Sequence, residues 1–350
     1  MSTAWIKQPI LPVSEAAKNQ ARKRLSKMAK PLGSLGVLED ALIRLAGMQN
    51  SPTPSVDIAR IVVFAADHGV VEAASYQGAS PYSQVSTLQR VKTVLSGRGA
   101  VSIMARHLGF EMEVVNAGMA EKIAELPGLI NCSAGRGTRN FQVGPAMTEE
   151  QLVMALLAGQ EAVERASQGG VQIFVGGEIA IGKSISAAAI TSALLGISPD
   201  TISGPGSGGS PEGMAQKAKI IETALALHLP TIKQPLQALR ALGGFEAAAL
   251  CGAFIACGQR GIPAIVDGFV AATAALVAVS IHPPLREWLL FGHRSAEPGQ
   301  LSLLRAISGQ PILHLDMHLG EGTGATAALS LLRMACVIHK EMILIDELES

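Results

Sequence analysis

Residues 312–328 read ILHLDMHLGEGTGATAA, and this stretch decides the fold class that the sequence predicts. The alternating character of its first half predicts a β-strand, and its alanine-rich second half predicts a helix. The turn between them reads Gly320-Glu321-Gly322-Thr323-Gly324, and its glycines permit positive φ angles and close backbone approach. A strand that enters a helix through such a turn is typical of α/β sheets, whose ligands bind at the carboxyl ends of strands.

The same turn places a carboxylate beside a potential anion site. The first N–H groups of a helix are unpaired and carry a partial positive charge, so they suit a phosphate. Glu321 lies in this turn, where a carboxylate is a candidate general base. The residues also allow an ordinary strand-to-helix turn, in which Glu321 is only a favourable charge in the first helical turn.

Further apolar segments predict buried strands that alternate with helices. Residues 59–65 (ARIVVFA), 171–175 (VQIFV) and 263–266 are near-continuous apolar runs, and 111–115 is a shorter strand. Strands buried on both faces are typical of parallel sheets. The glycines at Gly176 and Gly177 predict a turn directly after residue 175. Strands that alternate with helices indicate an α/β fold: a parallel sheet with helices on both faces, Rossmann-like and doubly wound.

Both ends of the chain carry helix-forming sequence, which predicts a smaller helical domain built from the two termini. We expect this domain to comprise residues 1–56, 283–300 and 330–350. The large α/β catalytic domain would then comprise residues 57–282 and 301–329.

Composition limits the classes of function. The 28 basic and 28 acidic residues balance, and only 3% of residues are aromatic, which disfavours a nucleic-acid binder. The four cysteines show no CxxC pair and no zinc spacing, as in a reduced cytoplasmic protein. The N-terminus lacks the apolar core of a signal peptide, and the apolar run 264–281 contains Asp267 and Gly268, so it predicts a buried strand, turn and helix. We therefore expect a cytoplasmic protein with small-molecule substrates and no membrane or nucleic-acid partner.

Two short patterns suggest other chemistry. Residues 177–184 read GEIAIGKS, which fits the phosphate-binding P-loop of an NTPase, with Asp267 as a magnesium ligand. However, Glu178 places a carboxylate where a P-loop presents neutral backbone. The alternating His314, Asp316 and His318 would share one face of a strand and could bind a metal, but the sequence offers no further ligands, so we predict no metal site.

Several stretches, in order along nearly the whole chain, resemble one enzyme family. They are KPLGSLG at 30–36, FAADHGV at 64–70, RGT at 136–138, GPAMT at 144–148, ALGGFE at 241–246, VDGF at 266–269, SAE at 295–297 and LGEGTGA at 319–325. In these stretches the chain is similar to the nicotinate-nucleotide–dimethylbenzimidazole phosphoribosyltransferases, the CobT family of cobalamin nucleotide-loop assembly.

The resemblance implies a reaction and an assembly. Ribose 5-phosphate would pass from nicotinate mononucleotide to 5,6-dimethylbenzimidazole, giving α-ribazole 5′-phosphate and nicotinate. The resemblance also implies a homodimer and no metal or organic cofactor. A diverged nucleotide- or base-binding protein without this activity is an alternative, as is the P-loop NTPase.

The resemblance also assigns roles to residues, with Glu321 as the general base that takes the proton of the benzimidazole nitrogen. The residues implied to bind the base are Ser80, Pro81, Tyr82, Gln84 and Gln89. The residues implied to bind the phosphoribosyl group are Gly176, Gly177, Glu178, Lys183, Ser184, Lys217, Ser295, Gly320, Gly322, Thr323 and Gly324.

The chain departs from the family pattern at three points: residues 182–185, the glycine loop 204–208, and Asn116, where an Asp is common. Family members commonly carry Gly-Asn-Thr-Thr where this chain has Gly182-Lys183-Ser184-Ile185. The resemblance thereby explains the P-loop match as a coincidence created by the lysine. Lys183 could replace neutral donors with a positive charge on the phosphate.

Overall fold

One parallel sheet of seven strands forms the centre of the computed structural model, which describes residues 3–72, 86–123, 125–204 and 210–348. The strands are β1 (Ala59–Ala66), β2 (Glu111–Gly118), β3 (Leu129–Asn131), β4 (Ile173–Ile179), β5 (Ala264–Val266), β6 (Leu289–His293) and β7 (Pro311–Leu313). Their order is β3-β2-β1-β4-β5-β6-β7, and every neighbouring pair is parallel. The predicted doubly wound α/β fold is confirmed.

Thirteen α-helices surround the sheet in the described ranges. They are α1 (Glu15–Lys27), α2 (Val37–Met48), α3 (Thr87–Leu95), α4 (Ala100–Leu108), α5 (Glu149–Gln168), α6 (Lys183–Leu195), α7 (Pro199–Ile202), α8 (Pro211–His228), α9 (Pro235–Leu242), α10 (Phe245–Arg260), α11 (Phe269–Ile281), α12 (Gly299–Ala306) and α13 (Thr323–Glu341). Helices α5, α10 and α11 pack in one group, and α13 packs with α2 and α4 in another. None of the helices in the described residues is long and apolar enough to span a bilayer.

The strand order determines where a ligand crevice lies. From β1 the chain proceeds outward through β2 to β3, then returns to place β4 on the other side of β1. In such sheets the crevice opens at the carboxyl ends of the two strands where the order reverses. Strand β1 ends before Asp67 and His68, and β4 ends with Glu178 and Ile179. The fold therefore brings His68 and Glu178 to the same edge of the sheet.

The sheet is buried because its central strands are apolar on both faces. All seven residues of β4 are buried, as are all residues of β1 except Arg60. The predicted strand, turn and helix in residues 264–281 are β5, a short connection and α11, whose first ten residues are buried. Near-continuous apolar sequence thus marks the layers that face the sheet or another helix.

The structure corrects the expected turn after residue 175. Strand β4 continues through Gly176, Gly177 and Glu178, because Gly176 pairs with Val62 of β1 and with Val266 of β5. Hydrogen bonding to strands on both sides thus outweighs the weak strand preference of glycine. Strand β3, which has only three residues, was not predicted.

The strand of the opening stretch is also shorter than predicted. Strand β7 ends at Leu313, so His314, Asp316 and His318 do not share one strand face. Asp316 has a φ of +51°, which breaks the extended chain before the glycine turn. Strand β6, whose last residue is His293, was not predicted either.

The two termini contact each other, as the predicted helical domain requires. Helix α1 packs on α2, α2 packs on α13, and Met28 forms an isolated antiparallel bridge with Leu344. The segment 283–300, also expected in the small domain, contributes β6 to the central sheet. The domain boundaries stay a prediction.

We predict that Gly159→Ala lowers the melting temperature. A Cβ on Gly159 would lie 1.8 Å from the Ala249 carbonyl oxygen, so α5 and α10 must separate to admit it. Overpacking of this kind costs about 1–3 kcal/mol, which exceeds the roughly 1 kcal/mol that alanine gains over glycine in a helix. Gly144→Ala is the control, because its Cβ would meet open space. Equal thermal melting curves for the two variants would contradict the backbone contact.

Candidate active site

A cleft opens at the carboxyl edge of the sheet. It lies at the crevice that the strand order indicates, and five of the predicted phosphoribosyl residues with polar side chains line it together with Gly320. Those five residues are Glu178, Lys183, Ser184, Lys217 and Ser295. The cleft is also lined by His318, which the sequence considered only as a metal ligand, and by side chains to which it assigned no role, namely Arg90, Phe269, His293 and Glu297.

Glu321 lies in a strained turn at the edge of this cleft. Its φ is +63°, between Gly320 at +77° and Gly322 at +82°. A left-handed conformation costs a residue with a side chain roughly 1–2 kcal/mol. Such strain persists where surrounding contacts enforce it, and it concentrates at functional sites. Glu321 is 7% exposed, so its side chain is largely out of water; its neighbour Gly320 lines the cleft, whereas Glu321 itself does not.

Hydrogen bonds to Asp267 hold the turn in this conformation. Its carboxylate accepts the N–H of Gly322 at 3.2 Å and the N–H of Ala325 at 2.8 Å. The Asp267 side chain is fully buried, so it caps the N-terminus of α13 where the helix carries partial positive charge. The Glu321 N–H donates to the Glu178 carbonyl at 3.2 Å, which attaches the turn to β4.

Two glycines of the predicted site, Gly177 and Gly324, let the turn approach β4 and β6 closely. A Cβ on Gly177 would lie 2.4 Å from the Gly322 nitrogen, and a Cβ on Gly324 would lie 2.0 Å from the His293 ring. The turn can therefore rest against β4 and β6 only if these positions lack side chains.

Most N–H groups of the turn already have partners within the protein. Asp267 accepts the Gly322 N–H, and the Gly320 carbonyl accepts both the N–H and the hydroxyl of Thr323. The geometry of these residues therefore positions Glu321 and leaves fewer donors for a phosphate than the resemblance implies.

Glu178 forms an ion pair with Lys183. The Lys183 ammonium is 3.0 Å from Oε1 and 3.0 Å from the carbonyl oxygen of Glu178. Burial raises the pKa of Glu178 to about 7; Lys183 opposes this rise, and the negative charges of Asp267 and Glu246 add to it. Glu178 is therefore poised to exchange a proton near neutral pH.

Burial also raises the pKa of Glu321. The positive charges of Lys183 and Arg90 oppose this rise, and Asp267 adds to it. A general base works best when its pKa lies near the working pH, and the environment moves Glu321 in that direction.

Lys217 is the second ammonium group of the cleft. Burial lowers the pKa of Lys217, and the nearby Glu297 opposes this effect. Its Nζ lies 3.4 Å from the Gly204 carbonyl oxygen. Lys183 and Lys217 therefore line the same cleft and could both face a phosphate.

The residues implied to bind the base are mostly outside the described ranges. Ser80, Pro81, Tyr82 and Gln84 all lie there. Gln89 lies in the first turn of α3, where its side-chain oxygen accepts the Ser86 N–H at 3.1 Å in a capping box. Its neighbour Arg90 lines the cleft, so α3 brings this part of the chain to the site.

His68, which follows β1, is paired inside the protein. Its Nε2 lies 2.8 Å from Glu246 Oε1, and both side chains are fully buried. Gly244 leaves room for this pair, because a Cβ there would approach both side chains within 2.4 Å. These contacts support the structural interpretation of His68.

Sequence reasoning missed Asp267 and Arg90 as parts of the site. Asp267 directly follows β5, and the rule that ligands bind at carboxyl strand ends could have identified it. The sequence considered Asp267 only as a magnesium ligand. Arg90 lies within an amphipathic helix, and no local pattern distinguishes it from a surface charge.

The P-loop interpretation lacks its structural context. Only Ala180, Ile181 and Gly182 connect β4 to α6, because Gly177 to Ile179 belong to the strand. A P-loop needs those residues in the loop whose N–H groups surround the phosphates. Across the ranges that the structure describes, no three His, Cys, Asp or Glu side chains form a group that could hold a metal ion.

Sequence and structure comparisons connect the chain to phosphoribosyltransferases. A family model described as "Phosphoribosyltransferase" matches residues 10–348. A nicotinate-nucleotide–dimethylbenzimidazole phosphoribosyltransferase of Pseudomonas putida (strain W619) is 47% identical, with 98% of this chain and 96% of that protein covered. The protein of the same name from Pseudomonas aeruginosa (strain LESB58) is 44% identical over the same shares.

The fold agrees with these sequence matches. A crystal structure of the enzyme of this name from Thermus thermophilus superposes with a TM-score of 0.88 at 37% identity. That comparison covers 96% of this chain and 98% of the other. A structure of CobT from the same organism gives a TM-score of 0.89 at 38% identity, with 95% of this chain and 98% of that chain covered.

We predict that Glu178→Gln removes part of the pH dependence of stability. The pKa of Glu178 is raised from 4.5 to about 7, so between these pH values the folded protein binds more protons than the unfolded chain. The free energy of unfolding therefore falls as pH rises through this window, and glutamine cannot contribute to that fall. Melting temperatures from pH 4.5 to 8 should show the variant gaining relative to wild type as pH rises. Glu222→Gln on the exposed face of α8 is the control, and parallel curves for Glu178→Gln and wild type would contradict the shift.

Proposed function

The chain belongs to the family of nicotinate-nucleotide–dimethylbenzimidazole phosphoribosyltransferases, and from this premise we propose that Glu321 is the general base of its reaction. The enzyme transfers ribose 5-phosphate from nicotinate mononucleotide to 5,6-dimethylbenzimidazole. The products are α-ribazole 5′-phosphate and nicotinate, and the reaction belongs to the assembly of the cobalamin nucleotide loop.

The chemistry needs one proton acceptor. One benzimidazole nitrogen attacks the anomeric carbon while the bond from that carbon to the nicotinate nitrogen breaks. The electron pair of the broken bond stays on nicotinate, which leaves with a neutral ring nitrogen. Glu321 takes the proton of the other benzimidazole nitrogen, so the product leaves without an added charge on its base. Attack opposite the leaving group inverts the anomeric centre, which accounts for the α-linkage.

The position of Glu321 is the observation that carries this proposal. The carboxylate stands in an enforced left-handed turn at the carboxyl edge of the sheet, beside a cleft that carries two lysines. Burial raises its pKa, which moves the carboxylate towards the range in which a general base is effective. Asp267 is a buried carboxylate too, but its oxygens are occupied by the N–H groups of α13, so it suits a structural role.

The phosphoribosyl group would bind along the cleft. We propose that Lys183 and Lys217 face the phosphate as cations, with hydroxyl groups from Ser184 and Ser295. Glu178 would accept hydrogen bonds from the ribose hydroxyls. Gly320 lines the cleft. The other residues of the implied set would act indirectly, by letting the turn pack closely in the protein: Gly176, Gly177, Gly322, Thr323 and Gly324.

The base pocket would lie beside α3. We propose that Ser80, Pro81, Tyr82, Gln84 and Gln89 line it, as the resemblance implies. The position of Arg90 in the cleft supports the assignment of Gln89, because it brings α3 next to the proposed phosphoribosyl site.

We further propose a homodimer that acts in the cytoplasm. Helix α13 exposes Leu331, Met334 and Val337 at intervals of three residues, which forms one apolar stripe. Such a stripe on a monomer surface suits a contact with a second copy. The cysteines pair with no other cysteine in the described residues, as in a reducing compartment.

We predict that Glu321→Gln lowers the turnover number for α-ribazole 5′-phosphate about 10²- to 10⁴-fold, the usual contribution of a general base. Glutamine has nearly the same shape but cannot accept the proton. Product chromatography with nicotinate mononucleotide and dimethylbenzimidazole gives the rates. The wild-type rate should rise with pH through the raised pKa of Glu321, because only the ionised carboxylate accepts a proton.

Glu341→Gln is the matched control, since this exposed glutamate lies at the far end of the same helix. It should leave the rate unchanged. Full activity of Glu321→Gln would exclude the assigned role. A wild type that binds both substrates without product would favour the binding-only alternative, and magnesium-dependent ATP hydrolysis would favour the NTPase.

We predict that Met334→Asp shifts the protein from dimer to monomer in analytical ultracentrifugation. Met334 is 58% exposed at the centre of the apolar stripe, and a buried unpaired carboxylate would oppose association. Glu341→Gln again serves as the control. A wild type that sediments as a monomer at micromolar concentration contradicts the homodimer.

A further inference from the structure

Lys183 makes contacts that simple phosphate binding does not explain. It opens α6 and lines the cleft, with 15% of its side chain exposed. Its ammonium has three N–H donors, and in this structure Glu178 accepts two hydrogen bonds from it. The lysine is therefore bound to a carboxylate that lines the same cleft.

The Glu178 carbonyl oxygen links Lys183 to the turn of Glu321. This single oxygen accepts from the Lys183 ammonium at 3.0 Å and from the Glu321 N–H at 3.2 Å. The ammonium also covers the preceding residue, since a Cβ on Gly320 would lie 2.5 Å from it. A movement of Lys183 would therefore change the surroundings of both Glu178 and Glu321.

Glu178 depends on Lys183 for its charge. It is 2% exposed, and its Oε2 has no hydrogen-bond partner among the described residues. Without the ammonium, both carboxylate oxygens would be buried and unpaired, which is costly for an ionised group. A carboxyl group in that position binds a proton instead.

The other charged groups around the two carboxylates do not replace the ammonium. Asp267 follows β5, Glu246 lies on α10, and both are negative charges that raise the pKa of Glu178. Arg90 on α3 is a positive charge that acts on Glu321. The remaining titratable residues that line the cleft are Lys217, His293, Glu297 and His318.

We propose that Lys183 exchanges partners during the reaction: it holds Glu178 in the empty cleft, and the dianionic phosphate of the donor then draws it away, so that Glu178 takes up a proton from solvent. This inference rests on the proposed function, because it assigns the phosphate of that reaction to this cleft. Lys183 thus contacts the donor phosphate and couples donor binding to the charge of Glu178.

The exchange has a physical consequence for the base. A dianion beside two ionised carboxylates is repelled by both of them. Protonation of Glu178 removes one of those charges and leaves Glu321 as the ionised carboxylate beside the cleft. The two glutamates then have separate roles, one neutral and one basic.

Sulfate tests the exchange without turnover, because it is a dianion that does not titrate near neutral pH. Calorimetric titration at pH 7 in buffers of different ionisation enthalpy gives the number of protons bound with each sulfate. Wild type should take up as much as about half a proton, since a group with a pKa of about 7 is half protonated at that pH.

Variants of Glu178 and Lys183 show which group takes up the proton and which group contacts the sulfate. Glu178→Gln should bind sulfate with no comparable proton uptake. Lys183→Met should weaken sulfate binding about 10- to 100-fold, the usual worth of a charge-assisted hydrogen bond, and should also lose the uptake. Lys183→Arg keeps the charge and should recover most of the affinity, which separates a loss of charge from a loss of folding. Lys219→Met, on the exposed face of α8, should behave as wild type.

Kinetics provide a second readout. Lys183→Met should raise the KM for nicotinate mononucleotide more than the KM for dimethylbenzimidazole, because the lysine contacts the donor.

Unchanged proton uptake in Glu178→Gln, unchanged sulfate affinity in Lys183→Met, or a wild type that binds no sulfate would each overturn the exchange. Product formation by wild type in any of these cases would show that the proposed function stands although Lys183 does not exchange partners.

Discussion

The buried carboxylate of Asp267 at the N-terminus of α13 is the interaction on which the site depends. It lies at the end of β5 and accepts two N–H groups from the turn and first helical residues. A buried charge is stable only when its oxygens are satisfied, and the helix end supplies both donors and a favourable potential. This contact fixes a turn that brings Glu321 to the sheet edge in a conformation that an isolated chain would avoid.

This arrangement crowds carboxylates into a region with few cations. The negative charge of Asp267 raises the pKa of both Glu178 and Glu321, and Lys183 lowers the pKa of both glutamates against the effect of burial. Asp267 has backbone donors, whereas Glu178 has the ammonium of one lysine. Glu178 is therefore close to half-protonated at neutral pH, and an added anion changes its protonation. Burial also raises the pKa of Glu321, which favours proton transfer from an acceptor base, because a carboxylate whose pKa stayed low would be too weak a base.

The sequence predicted those parts of the molecule that depend on local pattern. Apolar runs indicated β1, β4 and β5, and the glycine turn indicated Glu321, because periodicity and glycine content are properties of neighbouring residues. The extension of β4 through Gly176 and Gly177 depends on pairing with β1 and β5, which lie far away in sequence. The contact of Arg90 with the cleft depends on how α3 packs. Such features follow from tertiary structure, and the residues themselves carry no sign of them.

Residues 177–184 show why spacing alone does not determine chemistry. The pattern GEIAIGKS would cradle phosphates if its first half formed a loop, but the central sheet takes Gly177, Glu178 and Ile179 into β4. The carboxylate of Glu178 then points into the same cleft as the lysine five residues later, and the two form an ion pair. A lysine that would be a phosphate ligand in a P-loop is thereby bound to an internal anion. A phosphate that enters this cleft must compete with Glu178 for that ammonium, and the position of β4 is the cause of that competition.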